Sequence, residues 1–227
     1  MDPKSLPLPP GLNAVSCVRV FKGRRFNADL FRLELGPERR AVLLKTFHTK
    51  GFLARNVVGR FLEHREYRIL KLLADVPDIC RIALPHRNPG LFLEWIEGDR
   101  LDSFGPDSLP LAVMDELSET VRAMHSAGIA HLDLGHRGNI MVTSDRHPVL
   151  LDFQSAVSTR FLPPALKRAL HAIDKLAVLK WKTRLAPSSI SPEEKLRLQR
   201  RQRMSAAWPF HHWLFHPRAG KPPPESD

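Results

Sequence analysis

His131-Leu-Asp133-Leu-Gly-His-Arg-Gly-Asn139-Ile-Met-Val142-Thr-Ser-Asp-Arg-His-Pro-Val149-Leu-Leu151-Asp152-Phe-Gln154 is the stretch that decides how this chain is read. Two apolar runs, Asn139-Ile-Met-Val142 and Val149-Leu-Leu151, have the length and residue types of short buried strands around a polar loop. Asp133 and Asn139 precede and open the first run, and Asp152 follows the second directly. A lone Asp at such a place caps a turn. Two carboxylates with an amide between them form instead a set of hard oxygen donors, suited to a partial shell around a phosphate-bound Mg²⁺. The carboxylate left over is able to orient and deprotonate an acceptor hydroxyl.

Upstream, residues 14–47 read as strands. Val18, Val20 and Phe21 precede Lys22-Gly23-Arg24, residues 29–35 alternate with period two, Gly36-Pro37 marks a turn, and Ala41-Val-Leu-Leu-Lys45 reads as a buried strand. Residues 52–74 change to helical spacing, with Val57, Phe61, Leu62, Ile69, Leu70, Leu72 and Leu73 among charged side chains. Pro77 and Pro85 bracket an extended piece, Leu91-Phe-Leu-Glu94-Trp-Ile96 is a further strand closed by Gly98, and residues 109–126 form an amphipathic helix. A last strong helix covers residues 164–185, with Pro163-Pro164 at its start and Pro187 beyond its end. The order predicts an α+β fold in two lobes. An irregular leader (1–13) precedes an N-lobe of small antiparallel sheet, one helix and a connector (14–98). A reduced, mainly helical C-lobe (99–186) carries the polar loop, and a basic, aromatic tail (187–227) ends the chain.

At 227 residues, with 43% hydrophobic and 26% charged residues, the composition is that of a soluble globular protein. No apolar run reaches the ~18 residues of a membrane span, and the first twenty residues lack a secretory layout. Cys17 and Cys80 have no metal-ligand spacing, which excludes a disulfide framework and a Cys-rich zinc site and fits a reducing compartment. The net charge of +11 is uneven, because residues 161–227 hold thirteen Lys/Arg against five acids. Such an excess favours anionic partners, whether phospholipid, lipopolysaccharide, nucleotide or nucleic acid.

The quoted stretch resembles the catalytic and metal-binding loops of protein-kinase-like enzymes, H-R-D-L-x-x-x-N and D-F-G. The resemblance extends over about residues 15–160. It implies that Asp133 is the catalytic base, Asn139 a metal ligand and Asp152 the main metal ligand. Ala41-Val-Leu-Leu-Lys45 is similar to the V-A-I-K strand and places Lys45 on the nucleotide phosphates; Glu66 becomes its carboxylate partner, with Glu63 in reserve. The strand through Glu94 and Ile96 matches the hinge whose backbone holds adenine. The phosphate-covering turn is reduced to Gly23 in Phe21-Lys-Gly-Arg-Arg-Phe-Asn27. Three features depart from the pattern: Asn139 is the sixth residue after Asp133 rather than the fifth, Leu132 stands at the arginine, and Gln154 stands at the glycine. Gly135 and Gly138 offer the freedom to absorb the extra residue. The missing arginine removes the receiver of an activation-loop phosphate.

Within that superfamily the short length, Leu132 and Asp152-Phe-Gln-Ser-Ala-Val157 resemble the small bacterial lipopolysaccharide (heptose and Kdo) kinases and the Rio-type kinases. The expectation is a cytoplasmic, ATP- and Mg²⁺-dependent kinase. Its acceptor hydroxyl belongs to a lipopolysaccharide core sugar or to a protein Ser/Thr. The basic segment 193–204 and the aromatic run 208–215 suit peripheral contact with an anionic membrane at its inner face, or packing onto the helical lobe. A nucleic-acid partner is the least favoured reading. His211, His212 and His216 lack a carboxylate or thiol that would make them a metal site. The rival expectation is a catalytically silent kinase fold acting as a binding module at the membrane surface.

Overall fold

The structure is a computed structural model and describes residues 8, 12–23, 27–85, 90–194 and 196. Its strands are β1 (Ala14–Phe21), β2 (Asp29–Leu35), β3 (Arg40–Thr46), β4 (Leu91–Glu94), β5 (Gly98–Arg100), β6 (Ile129–Ala130), β7 (Ile140–Thr143), β8 (Pro148–Leu150) and β9 (Val157–Ser158). Its helices are α1 (Arg60–Leu72), α2 (Leu111–Ser126) and α3 (Pro164–Leu185). A turn of π-helix, Ala54–Gly59, leads into α1.

Strands β1 to β4 form one antiparallel sheet in that order. Side chains alternate across a strand, so the sheet has two faces with different duties. Phe31, Leu33, Val42, Leu44 and Phe92 close a small core on one face. Leu91 and Leu93 on the other face join a larger core shared with α1, α2, α3 and the strands between them. Lys45 pairs with Leu91 across β3 and β4, and by alternation with Leu44 it belongs to that second face. The strand therefore carries its lysine inward on the side where the helices pack.

The spacing in α1 correctly predicts a helix, but not the face it buries. Val57 and Phe61 are more than half exposed, whereas Glu63 and Glu66 lie buried beside Ile69, Leu70 and Leu73. Burying two carboxylates in place of available apolar side chains is costly unless something inside requires them. Lys45 is what requires one of them.

The second half of the chain is mainly helical. Val113, Met114, Leu117, Val121 and Met124 of α2 and Ala177, Val178, Trp181 and Leu185 of α3 share one core with Ile140, Val142 and Leu150 of the short β7–β8 hairpin. Helix α3 begins at Pro164, where proline's missing N–H and fixed φ cost nothing. The architecture is thus α+β: a small antiparallel sheet with one helix, then a reduced helical part. Most of the tail expected over residues 187–227, including the aromatic run and its three histidines, lies outside the described residues, as does most of the leader. Among the described residues no helix is long and apolar enough to cross a membrane.

Leu117, fully buried at the centre of α2, and Phe161, 97% exposed before α3, give a sharp contrast. Leu117→Ala is expected to lower the unfolding free energy by about 2–5 kcal/mol through cavity formation. Phe161→Ala should stay within about 0.5 kcal/mol of the wild type. Urea titrations of the two variants measure both.

Candidate active site

Three segments distant in sequence meet at one ammonium group. Lys45 Nζ lies 2.8 Å from Glu66 Oε2 and 2.6 Å from Asp152 Oδ1. Glu66 is buried, and its other oxygen accepts the backbone N–H of Phe153 at 3.1 Å. One glutamate of α1 therefore ties β3 to the residue after Asp152. Beside it, Arg65 Nη2 donates to the Ala156 carbonyl at 2.6 Å, a second tie three residues further along. Burial opposes the charge of Lys45, but the two carboxylates outweigh it and hold its pKa above the usual lysine value. Burial likewise works against the Asp152 carboxylate, and Lys45 overrides it, leaving the Asp152 pKa below the usual range. Asp152 has φ 55°, a left-handed conformation unfavourable for a residue with a Cβ. Its bonds to Lys45 and to the Gln154 N–H support that strained turn.

The second group is the loop holding Asp133 and Asn139. Asn139 Nδ2 donates to the Asp133 carbonyl at 2.8 Å and to Asp133 Oδ2 at 2.9 Å, so the extra residue does not separate them. Two successive turns absorb it, with His136 N bonded to the Asp133 carbonyl and Asn139 N to the His136 carbonyl. Gly135 and Gly138, expected to do this through their conformational freedom, take no left-handed φ; Leu132 does, at 69°. Burial raises the Asp133 pKa, and His136 and the Asn139 amide pull against that rise. His131 Nε2 lies 2.9 Å from the Leu151 carbonyl and must be the donor there. Its Nδ1 is then the acceptor for the Asp133 N–H at 3.3 Å, which defines a neutral Nε2–H tautomer. His131 thus joins the Asp133 loop to the residue before Asp152.

Beneath the loop stands a residue that sequence reading missed. Asp174, fully buried in α3, accepts the His131 N–H at 2.8 Å, the Leu132 N–H at 2.8 Å and His125 Nε2 at 2.9 Å. It satisfies two adjacent amides that point into the protein at the strained Leu132. Trp181, two turns further along α3, donates Nε1 to the Leu134 carbonyl at 2.8 Å. A signal for Asp174 was present: it is the only acid in α3, and it falls on the buried stripe with Ala177, Val178 and Trp181.

The remaining expected residues lie apart from these two groups. Glu63, the reserve partner, accepts the Phe47 N–H at 3.2 Å and does not pair with Lys45. Glu94 ends β4, its N–H bonded to the Arg81 carbonyl at 2.9 Å, and Ile96 follows, half-buried, in the connector to β5. Gly23 does not have the free amide expected of a phosphate cradle, because its N–H is bonded to Asp29 Oδ1 at 2.7 Å. Among the described residues Asp78, Glu116 and His147 also converge, with His147 Nδ1 2.5 Å from Glu116 Oε1. They do so on another part of the fold.

Asp174→Ala should leave the His131 and Leu132 amides buried without acceptors, costing about 1–3 kcal/mol for each. Hydrogen exchange should accelerate first at those two amides. Glu63 gives a pH signature. Burial pushes its carboxyl up to about 7 from an ordinary 4.5. Between those values the folded state keeps a proton that the unfolded state has released, so the contribution of Glu63 to stability falls as pH rises from 4.5 to 7. Glu63→Gln should flatten that part of the stability curve in urea titrations at stepped pH.

No protein-family model matches the sequence, and no curated protein matches it. Among solved structures, the fold is similar to Rio2 kinase from Chaetomium thermophilum, crystallised as an ADP/Mg²⁺-phosphoaspartate complex. The TM-score is 0.58 at 13% sequence identity, over 82% of this chain and 61% of that one. The chain therefore spans about three fifths of the length of that kinase structure. With its small antiparallel sheet, single sheet-side helix and reduced helical half, this chain has a protein-kinase-like fold.

Proposed function

We propose that this chain is a phosphotransferase that moves the γ-phosphoryl group of ATP, with Mg²⁺, to a hydroxyl group. The buried Lys45 ammonium, held between Glu66 and Asp152 and linked through His131 to the Asp133–Asn139 pair, is the observation that carries this reading. Lys45 binds and orients the nucleotide phosphates, with Glu66 fixing its direction. The backbone at Glu94 and Ile96 holds the base in the connector between the lobes, which divide at residues 98 and 99. Asp133 orients the acceptor hydroxyl and takes its proton as the new P–O bond forms and the bond to the ADP oxygen breaks. The raised pKa of Asp133 strengthens it as a base.

The donor set fits Mg²⁺. The Asn139 Nδ2 group is spent on Asp133, which leaves its Oδ1 for a cation. Asp152 uses Oδ1 for Lys45 and Gln154, and among the described residues nothing engages its Oδ2. Two hard oxygens from the protein suit an ion that keeps water and phosphate in the rest of its shell. Such an ion neutralises charge on the phosphates during transfer.

We place a lipopolysaccharide core sugar first among acceptors, with the enzyme cytoplasmic and peripheral at the inner face of the membrane, and a protein Ser/Thr second. The strongly basic final third supports an anionic, membrane-held acceptor. The spent amide of Gly23 favours the rival, a silent kinase-fold module at the membrane surface. Thermal denaturation with ATP and Mg²⁺, read beside an assay of phosphoryl transfer, separates the two. Nucleotide at 100-fold above its Kd should add about 2.7 kcal/mol of stability. Asp133→Ala should abolish transfer and keep that gain, whereas a wild type with metal-dependent stabilisation but no transfer would make the module correct. Labelled phosphate from ATP should enter membrane glycolipid; label in protein alone would overturn the sugar acceptor.

A further inference from the structure

The turn between β1 and β2 has one glycine where the phosphate-covering loop of kinases has three, and the amide of that glycine is already used. What holds this turn is a buried polar cluster outside the groups described above. Asp29, 2% exposed at the start of β2, accepts the Gly23 N–H at 2.7 Å, Thr49 Oγ1 at 2.5 Å and Lys50 Nζ at 2.5 Å. Lys50 also donates to the Gly23 carbonyl at 2.8 Å. Both backbone polar groups of Gly23 are thereby fixed, one by the carboxylate and one by the ammonium. A Cβ at Gly23 would lie 2.3 Å from the Ala28 carbonyl oxygen and 2.4 Å from that of Asn27, so the two arms of the turn close directly against each other. Burial opposes the charge on Asp29, yet the bonds from Lys50, Thr49 and Gly23 hold its pKa below the ordinary value. The Asp29 carboxylate therefore carries its charge at neutral pH.

We propose that Asp29 and Lys50 act as positioning residues for nucleotide binding, clamping the base of the β1–β2 turn to the connection between β3 and α1. The proposal rests on the phosphotransferase reading above. Thr49 and Lys50 lie four and five residues after Lys45, on the chain that runs from the phosphate-binding lysine to the helix carrying Glu66. The clamp therefore gives the base of the turn, at Gly23 and Asp29, a fixed height relative to Lys45. An ion pair buried this deeply stabilises a fold no better than two apolar residues of the same size. Its use at the base of this turn, with every bond directed to one glycine or to the neighbouring connection, matches a demand for geometry. Fixing the two arms of the turn to each other at Gly23 and Asp29 removes in advance part of the cost of ordering its base on binding.

Such a clamp touches neither Asp133 nor the reacting bond. It contributes equally to the bound ground state and the transition state, so its loss belongs in KM rather than kcat. Lys50→Met should raise the KM for ATP by about tenfold, the equivalent of one charge-assisted hydrogen bond, with kcat held within about twofold. Lys50→Arg should restore most of the affinity. Lys50→Met leaves a buried carboxylate unpaired and lowers the melting temperature, so the double variant Asp29→Leu/Lys50→Met is the decisive protein. It removes both charges and should recover part of the melting temperature, short of the cost of the Gly23 N–H and C=O left without partners, while keeping the raised KM. Recovery of both quantities together would show the pair to be packing only and overturn the clamp, as would an unchanged KM in Lys50→Met. The Kd for MgADP, measured by calorimetry on the same proteins, distinguishes the two levels of the argument. Wild-type binding that Lys50→Met leaves unweakened overturns the clamp alone, and absence of wild-type binding overturns the nucleotide reading with it.

Discussion

A single buried ammonium organises this molecule. Lys45 sits between the carboxylates of Glu66 and Asp152, which reach it from α1 and from the second residue after β8. The net value of such an arrangement over an apolar core is small, because desolvating Lys45 and Glu66 offsets much of the attraction, and Asp152 reaches the pair from the exposed side. Its consequence lies in what happens when it is broken. Removing one partner strands a charge in the interior at a cost of about 3–5 kcal/mol, so the three segments are committed to one another. The inward face of α1 follows from this constraint: the helix turns Glu66 toward the lysine, and Val57 and Phe61 are left facing water.

The same logic governs the backbone of the loops. Leu132 and Asp152 both adopt left-handed φ with a Cβ in place, a strain on the order of 1–3 kcal/mol each. Each is held by a carboxylate. Asp174 gathers the amides of His131 and Leu132 from below, and the Asp152 side chain bonds the Gln154 amide ahead of it. Strain and support coincide at the two residues on either side of the candidate chemistry. A loop held in this way presents Asp133 and Asn139 at a fixed separation despite its additional residue, since two turns take up the length and the Asn139 amide closes back on Asp133.

The parts of this arrangement that sequence makes legible are those with local signatures. Alternation marks β2 and β3, helical spacing and flanking prolines mark α3 from Pro164 to Leu185, and acids or amides bordering apolar runs mark Asp133, Asn139 and Asp152. Lys45 stands out because a lysine ending an apolar strand demands an explanation. Partnerships formed across long separations leave no such mark. Asp174 meets its amides from 42 and 43 residues away, and Asp29 meets Lys50 across 21. In the sequence each is one acid among others, at the start of a strand or within a basic helix. Periodicity also gives a helix without giving its orientation, so the exposed side of α1 could be found only once the neighbours of Glu66 were known.

The segment after Asp152 shows what this wiring implies for control. It reaches α3 in eleven intervening residues, and it is fastened along its length. Glu66 holds Phe153, Arg65 holds Ala156, β9 pairs with β6, and the Thr159 N–H reaches the Gly128 carbonyl at 2.7 Å. A phosphorylation switch orders a loop by adding charge that arginines pair with, and its leverage is the entropy of a loop otherwise free. Here that order is supplied by the fold's own hydrogen bonds. A switch that worked by ordering this segment would find little freedom left to remove, because the lysine and its carboxylates are already assembled.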